Sequence, residues 1–247
     1  MPVVPFIGHI PYFDAPHLVA IASAPLVPIL LWLGVKSQEE DLWKDRIAYI
    51  LASLLILNEI AYRVFLYSKA ETTTDFLNHA LPINICPLSL IAGLIALTRR
   101  SQLAYEIAFF WALTAPVNSI LTHDITSPFP SFQFIGYFVS HCGAIWAALY
   151  ATLVLKMRPK WISIWRAFIA FNVVVVLSAV VDILLPGANY AFLVEPPEAD
   201  NPFFSAPWPW YLLVIDIMSA GMFALAYLPF HFMDKWKAGN SAEKSAE

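Results

Sequence analysis

The chain has 247 residues, of which 60% are hydrophobic and only 13% are charged, about half the charged share of soluble domains. This composition excludes a soluble globular protein and predicts an integral membrane protein. The net charge of −4 comes mainly from polar connections, and no basic stripe offers a surface for nucleic acid.

Seven stretches of the chain are long and apolar enough to cross a bilayer, whose hydrocarbon core requires about 20 residues of helix. Lipid offers no hydrogen-bond partner to the backbone, so each stretch must be helical. We predict an all-α fold, with one seven-helix transmembrane domain over residues 1–233. The tail, residues 234–247, is expected to be polar, cytoplasmic and disordered. The predicted spans are residues 16–35, 46–67, 79–97, 103–122, 133–155, 164–186 and 208–233.

The positions of the basic residues predict the orientation of these spans. Lysine and arginine concentrate in the first, third and fifth connections and in the tail, whereas the other side has only Lys69. Cytoplasmic loops carry such an excess of positive charge. The N-terminus is therefore expected outside and the C-terminus in the cytoplasm, with membrane lipids as the surroundings. The cytoplasmic basic residues are Lys36, Lys44, Arg46, Arg99, Arg100, Lys156, Arg158, Lys160, Lys235, Lys237 and Lys244.

The connections expected outside are rich in proline and aromatic residues, in particular residues 128–130 and 196–210. Tryptophan settles at the headgroup level of a membrane, so residues such as Trp210 can form an aromatic belt. Proline keeps such segments extended, and they can instead form a lid over a site on the outer face. The sequence leaves both interpretations open.

Polar residues of six predicted helices lie at one depth. Cys86 and His141 are each about 10–12 Å below the outer boundary, at 1.5 Å of rise per residue. Polar groups inside a membrane are costly, and they mark functional sites. We therefore predict a polar cavity that faces the outer leaflet. The other members of this layer are Asn58, Glu59, Arg63, Asn84, Asn118, Asp182 and Asp216, with His123 and Asp124 just above.

Each of these groups also has a structural interpretation. Glu59 and Arg63 have the i,i+4 spacing of a helical ion pair, which can simply neutralise both charges. Asn84 and Asn118 can hold helices together, and Asp216 can be hydrated near the interface. Tyr137 lies one turn before His141, whose ring can be a satisfied structural group. Cys86 can be a small packing residue, and Pro82 and Pro87 around it predict a helix kink.

Several chemistries are excluded by the residues that they need. No predicted helix interior contains the lysine of a retinal Schiff base, and only His141 is deep enough for a haem ligand. His79, His123 and His141 lack the i,i+4 pairing typical of a zinc site. We expect no cofactor and no metal. A cysteine–histidine pair of Cys86 and His141 remains possible, with Asn84, Asn118 or Tyr137 stabilising an oxyanion.

Five segments of the chain form a recognisable set: Leu81-Pro82-Ile83-Asn84-Ile85-Cys86-Pro87-Leu88, Leu121-Thr122-His123-Asp124, Phe129-Pro130-Ser131-Phe132-Gln133-Phe134 with Ser140-His141, Gly187-Ala188-Asn189-Tyr190, and Pro207-Trp208-Pro209-Trp210-Tyr211. This set resembles the YwaF-like bacterial integral membrane proteins, which are distantly similar to the eukaryotic transmembrane protein 164. That protein is a phospholipid acyltransferase with a cysteine and a histidine as its proposed catalytic pair.

The resemblance implies that His141 is the catalytic histidine and that the protein lies in a bacterial plasma membrane. We predict a phospholipid acyltransferase or acyl-ester hydrolase, with Cys86 as the candidate nucleophile. Substrate-binding candidates are Asn84, Asn118, Tyr137, Glu59, Arg63, Asp216 and Trp210. The alternative is a membrane transporter, or a protein that binds a small ligand or lipid without catalysis, in which Glu59, Arg63 and Asp216 bind the solute or relay protons.

Overall fold

The computed structural model describes residues 13–38, 41–123, 125–197 and 202–244 of the chain. The predicted outward N-terminal segment before residue 13, Asp124 and the last three residues of the predicted tail lie outside these ranges. Within them the fold is all-α, with no β-strand. Its helices are α1 (Ala15–Val35), α2 (Asp41–Lys69), α3 (Thr73–His79), α4 (Ile85–Arg99), α5 (Gln102–Ala112), α6 (Ala115–Leu121), α7 (Phe132–Leu153), α8 (Trp161–Leu184) and α9 (Trp210–Lys244), with 3-10 turns at Tyr190–Phe192 and Pro202–Phe204.

Short polar residues determine where several helices begin. Asp14, Thr72, Ser101 and Ser131 precede α1, α3, α5 and α7, and the side chain of each accepts a hydrogen bond from the backbone three residues later. Such caps satisfy N–H groups that have no partner inside the helix. Four helix starts are therefore encoded locally.

Five of these helices are long and apolar enough to cross a membrane, namely α1, α2, α7, α8 and residues Trp210–Ala238 of α9. Their outward faces are apolar. On α8, for example, Val173, Val176 and Leu177 are more than half exposed. Such a stripe is stable against lipid and costly against water. The number of seven crossings and the orientation stay predictions.

Helix α7 is the centre of the bundle and packs against α1, α2, α4, α5 and α6. In its most apolar stretch 61% of the residues are buried, against 17% in each of the other four spanning helices. Ala144, Ala147, Ala148 and Ala151 of α7 are fully buried. Small side chains let neighbouring helices approach closely, so α7 can contact helices on all sides.

The predicted third span, residues 79–97, is a helix only from Ile85 onward. The separate helix α3 ends at His79, and irregular backbone follows up to Asn84. Pro87 is the third residue of α4, in the first turn, where the missing N–H of proline costs no hydrogen bond. The predicted kink around Cys86 is therefore wrong, because the helix begins at this point.

The predicted fourth span, residues 103–122, consists of two helices, α5 and α6. The break lies at Leu113 and Thr114, and Pro116 is the second residue of α6. A proline inside a continuous helix would remove the bond to the carbonyl four residues earlier and clash with it. The break therefore follows from Pro116, and it turns α6 along the cavity described below.

The last helix begins at Trp210 and continues to Lys244, whereas the sequence predicted an end at residue 233. Alanine, lysine and glutamate favour helix, so the polar segment after Trp236 can extend α9 without any core to bury. Whether this segment is cytoplasmic stays a prediction.

Candidate functional site

A cavity of about 600 Å³ lies toward the end of the bundle at which α2 and α8 end and α7 and α9 begin. Its walls come from α2, the start of α4, α6, α7, α8 and α9. The described parts of the connection between α8 and α9, residues 185–197 and 202–209, are called the lid here because residues 191–193, 197, 203 and 204 also line the cavity. Of the predicted site residues, the cavity is lined by Cys86, His141, Asn84, Asn118, Tyr137, Arg63 and Asp216.

Cys86 is the second residue of α4 and is only partly buried. Its Sγ lies 3.4 Å from the Oγ of Ser119 on α6. The positive end of the helix dipole lies at this first turn and stabilises a nearby negative charge such as a thiolate. The position thus combines access to the cavity with an environment that suits a nucleophilic sulfur.

His141 is the tenth residue of α7, and its environment determines which ring nitrogen carries the proton. The Nδ1 atom lies 2.8 Å from the backbone carbonyl of Tyr137. A carbonyl can only accept, so Nδ1 must be the donor, and Nε2 carries the lone pair of the neutral ring. His141 therefore has the tautomer in which Nε2 can act as a base.

Tyr137 and Ser119 connect the histidine to the cysteine. The ring of Tyr137 lies against that of His141, with centroids 4.1 Å apart. The Tyr137 hydroxyl donates to the carbonyl of Ser119 at 3.0 Å, and the Ser119 side chain contacts Cys86. Ser119 thus joins groups from α4, α6 and α7. Sequence analysis missed it, because a lone serine in an apolar stretch carries no distinguishing pattern.

Glu59 and Arg63 form the predicted i,i+4 ion pair, with Nη2 2.5 Å from Oε1. The other carboxylate oxygen of Glu59 accepts from Ser140 at 2.8 Å, and the Nη1 of Arg63 donates to the carbonyl of Ala80 at 3.0 Å. Arg63 lines the cavity, whereas Glu59 does not. Both residues line a small adjoining pocket that also contains Cys86 and His141.

Asn84 connects the lid to the start of α4. Its Oδ1 accepts from the backbone of Ala191 at 2.7 Å and does not cap α4, although Asn84 occupies the N-cap position. Ala191 and Phe192 have left-handed backbone conformations, which are unfavourable for residues other than glycine. Since Oδ1 is occupied, the amide Nδ2 is the group that Asn84 can offer a ligand.

Tyr190 fixes the lid to α3 and to the segment between α3 and α4. Its hydroxyl donates to the carbonyl of Leu77 at 2.6 Å and accepts from the backbone of Leu81 at 3.0 Å. Burial raises the pKa of Tyr190, so the phenol keeps its proton for this bond. The Tyr211 hydroxyl donates to the carbonyl of Phe192. Phe192 lines the cavity, so this bond joins the start of α9 to a part of the lid that borders the cavity.

The remaining predicted site residues are Asn118, Asp216 and Trp210. Asn118 lines the cavity, and its side chain forms no hydrogen bond with the described residues. Asp216 accepts from the Nδ2 of Asn172 at 3.1 Å and has no ion pair in the described part of the chain. Trp210 is 62% exposed at the start of α9 and lines neither pocket. An exposed tryptophan at a helix end is typical of the aromatic belt at the headgroup level of a membrane.

Cys142 and His123 do not line the cavity. Cys142 is buried, and its thiol contacts the carbonyl of Ala20. His123 is also buried, with its ring 4.7 Å from that of His17. Among the described residues, no group of three or more histidine, cysteine, aspartate or glutamate side chains is placed to hold a metal ion.

Comparison with known families assigns the chain to one of them. The TMEM164 family matches residues 12–227, nearly the whole chain. The chain belongs to the TMEM164 family. Together with the five helices long enough to span a bilayer, this membership makes it a multi-pass integral membrane protein in a lipid environment. Neither a curated protein nor a solved structure matches the chain.

Proposed function

We propose that this member of the TMEM164 family is a lipid acyltransferase or acyl-ester hydrolase that works through Cys86 and His141. One observation carries the proposal: the two residues come from separate helices, α4 and α7, and line both the cavity and the small pocket beside it. The tautomer of His141 supports it, because a base needs the lone pair that Nε2 carries.

The proposed reaction begins when Nε2 of His141 takes the thiol proton of Cys86. The thiolate attacks the ester carbonyl of a phospholipid, and the tetrahedral intermediate breaks down to a thioester and a lysolipid, which takes the proton from His141. A second alcohol then accepts the acyl group by the reverse sequence. The amide groups of Asn118 and Asn84 would bind the oxyanion.

Tyr137 has a positioning role in this proposal. Its only hydroxyl proton is given to the carbonyl of Ser119, so it is a poor donor to an oxyanion. Its carbonyl and its ring instead hold His141. The acyl chain would lie against the apolar part of the cavity, where Phe171, Met218 and Met222 of α8 and α9 form the walls.

A non-catalytic function is the second candidate, and Asp216 favours it. This carboxylate lines the cavity with an asparagine as its hydrogen-bond partner. A membrane-embedded carboxylate of this kind can bind a cationic solute or relay protons. In a transporter or a ligand-binding protein, Asp216 would be essential and Cys86 dispensable.

The proposal also covers the type of family member, the membrane in which the chain lies and the orientation of its helices. We propose that the chain is a YwaF-like bacterial member of the family and lies in the plasma membrane. It would cross seven times, with the N-terminus and the cavity on the outer side. The basic residues of the alternate connections support this orientation.

The deciding experiment is intact mass spectrometry of the protein after incubation with labelled phospholipid. We expect a covalent acyl adduct on the native chain, none on Cys86→Ala, and an adduct that forms about 10²–10⁴-fold more slowly on His141→Ala. Cys142→Ala is the matched control, since this second cysteine is buried away from the cavity, and it should form the adduct as the native chain does. Bound lipid or solute without any adduct would instead support the non-catalytic function.

A further inference from the structure

The side chain of Ser119 differs from the other hydroxyl groups along α6 in its hydrogen bonding. Thr114 and Thr122, at the two ends of this helix, each donate to the backbone carbonyl four residues earlier. Serine and threonine in helices commonly satisfy their hydroxyls in this way. The hydroxyl of Ser119 instead lies 3.4 Å from the Sγ of Cys86, its one hydrogen-bond partner among the described residues. The hydroxyl is thus directed at the proposed nucleophile on another helix.

The backbone that carries this hydroxyl is fixed by two other helices. The carbonyl of Ser119 accepts a hydrogen bond from Tyr137 of α7 at 3.0 Å. The next carbonyl, that of Ile120, accepts from Nε2 of His17 of α1 at 2.6 Å. A donor that is held in place needs little reorganisation when charge develops beside it. Ser119 therefore presents its hydroxyl to Cys86 in a preorganised position.

The direction of the bond between Ser119 and Cys86 depends on the charge of the sulfur. With a neutral thiol, either group can donate. A thiolate can only accept, so Ser119 must then be the donor. A hydrogen bond to a charged group is about twice as strong as one between neutral groups. The contact therefore favours the ionised form of Cys86 over the neutral form.

The second cysteine shows that this arrangement is particular to Cys86. The thiol of Cys142 donates to the carbonyl of Ala20 at 3.4 Å, and a carbonyl cannot donate in return. The hydroxyl of Ser23 donates to the same carbonyl at 2.7 Å. The environment of Cys142 thus suits a neutral thiol, whereas that of Cys86 suits a thiolate.

Several ionisable groups also surround Cys86, and their effects must be distinguished from that of Ser119. Two of them, Glu59 and Arg63, neutralise each other in their ion pair. Ser119 carries no charge, so its hydrogen bond to the sulfur is kept while the ionisable groups titrate. The ionisable groups that line the two pockets with Cys86 are Glu59, Tyr62 and Arg63 of α2, His79 of α3, Tyr137 and His141 of α7, and Asp216 of α9.

We propose that Ser119 is a third catalytic residue, whose hydroxyl donates a hydrogen bond to the thiolate of Cys86. This inference rests on the proposed function, in which Nε2 of His141 takes the thiol proton. The proton of Ser119 stays on its own oxygen throughout. As the sulfur attacks the ester carbonyl, the negative charge moves to the carbonyl oxygen and the bond to Ser119 weakens. The bond strengthens again when the acyl group leaves and the thiolate returns.

The test is the pH dependence of Cys86 alkylation by iodoacetamide in the folded, detergent-solubilised full chain, measured by peptide mass spectrometry. Only the thiolate reacts, so the midpoint of the rate profile reports how stable the thiolate is. Ser119→Ala should raise this midpoint by about one pH unit or more, as expected for the loss of a hydrogen bond to a charged group. The plateau rate at high pH should stay the same or rise up to about threefold, because a less stabilised thiolate is the better nucleophile.

Three further variants separate a hydrogen bond to the sulfur from an effect on packing. Ser119→Thr keeps the hydroxyl and should return the midpoint to nearly the native value. Thr98→Val is the matched control, because it removes a hydroxyl that donates within α4 to the carbonyl of Leu94, and it should leave the midpoint unchanged. In a chain that also carries His141→Ala, Ser119→Ala should still raise the midpoint by the same amount, since the serine acts on the sulfur directly.

Three results would overturn the inference. The first is an equal midpoint in the native chain and in Ser119→Ala. The second is a rate that falls at every pH together with the thermal unfolding temperature, which would indicate a packing role. The third is a shift that vanishes in the absence of His141, which would mean that the serine acts through the histidine.

Acylation by labelled phospholipid, followed in the same chains, separates this inference from the proposed function. The adduct should form about threefold or more slowly on Ser119→Ala at pH 7, since fewer sulfurs are ionised. An adduct on the native chain with equal midpoints overturns the role of Ser119 alone. A raised midpoint in Ser119→Ala without an adduct on any chain overturns the proposed function and the catalytic role, and it confirms only the hydrogen bond to the thiolate.

Discussion

The two faces of α7 have very different surroundings. One face carries Tyr137 and His141 and borders the cavity. The other carries Cys142, Gly143 and Trp146 and packs tightly against α1 and α2, where the indole of Trp146 donates to the carbonyl of Ser23 at 2.8 Å. The same helix thus holds an open polar site on one side and a close-packed apolar contact on the other.

This difference shows how the protein keeps a cavity inside a membrane. In the close-packed contact, Leu55 and Cys142 are 1% exposed, and small residues of α1 and α2 fill the space between helices. Such packing supplies the contacts that hold the bundle together in lipid. The cavity on the opposite side of α7 can then be lined by polar residues such as Asn118 of α6 and Arg63 of α2 without loss of the fold. We expect substitutions on the cavity face to change function and those on the packed face to change stability.

The two cysteines give the largest expected contrast. Cys86 is partly exposed and lines the cavity at a helix start, whereas Cys142 is buried on the packed face of α7. N-ethylmaleimide should label Cys86 of the folded protein at least about tenfold faster than Cys142, because only Cys86 is accessible. Peptide mass spectrometry after timed quenching measures both rates. Equal rates before unfolding would show that the packed face is as open as the cavity.

A smaller effect is expected from Gly143→Ala on the packed face. The added methyl group would overlap with a methyl group of Leu55, which is buried and has little room to move. Overpacking of this kind costs about 1–3 kcal/mol, so the thermal unfolding temperature should fall while acyl transfer per folded molecule is kept. Gly221→Ala is the matched control, since nothing lies within 4 Å of its added carbon. If Gly143→Ala lost activity without losing stability, the expectation that the packed face governs stability and the cavity face governs function would be wrong.

The smallest effect is expected from Asn84→Ala, at the contact between the cavity and the lid. The substitution removes the hydrogen bond that Asn84 accepts from Ala191, worth about 1 kcal/mol. Opening of the lid should become roughly fivefold more frequent, and limited proteolysis within residues 185–209 should accelerate to the same extent. Asn84→Asp keeps an acceptor oxygen and should be cleaved at nearly the native rate. Identical cleavage of all three proteins would mean that the lid is held elsewhere.

Several features of the fold follow from sequence patterns alone. Spans such as 16–35 and 133–155 agree with α1 and α7 to within two residues, because a long apolar stretch in lipid has no stable alternative to helix. The ion pair of Glu59 and Arg63 follows from its i,i+4 spacing for the same local reason. The break between α5 and α6 could also have been predicted from Pro116, although apolarity alone suggested one continuous span.

The positions of side chains relative to one another were decided by the tertiary structure. The sequence places Cys86 and His141 at one predicted depth, but depth does not determine which faces of α4 and α7 meet. Ser119 became recognisable only through its contacts with Cys86 and Tyr137. The exclusion of Trp210 from the cavity likewise depends on how α9 is rotated.

The sequence by itself determined that this protein is helical and lies in a membrane. Hydropathy and helix length are local properties of the chain, and the bilayer sets the values that they must have. Only the tertiary structure decided which polar residues share a cavity. That arrangement depends on how α7 packs with its neighbours, and helix packing in lipid is governed by the shapes of many small side chains at once. The cavity and the lid are therefore properties of the packed bundle and of no single segment.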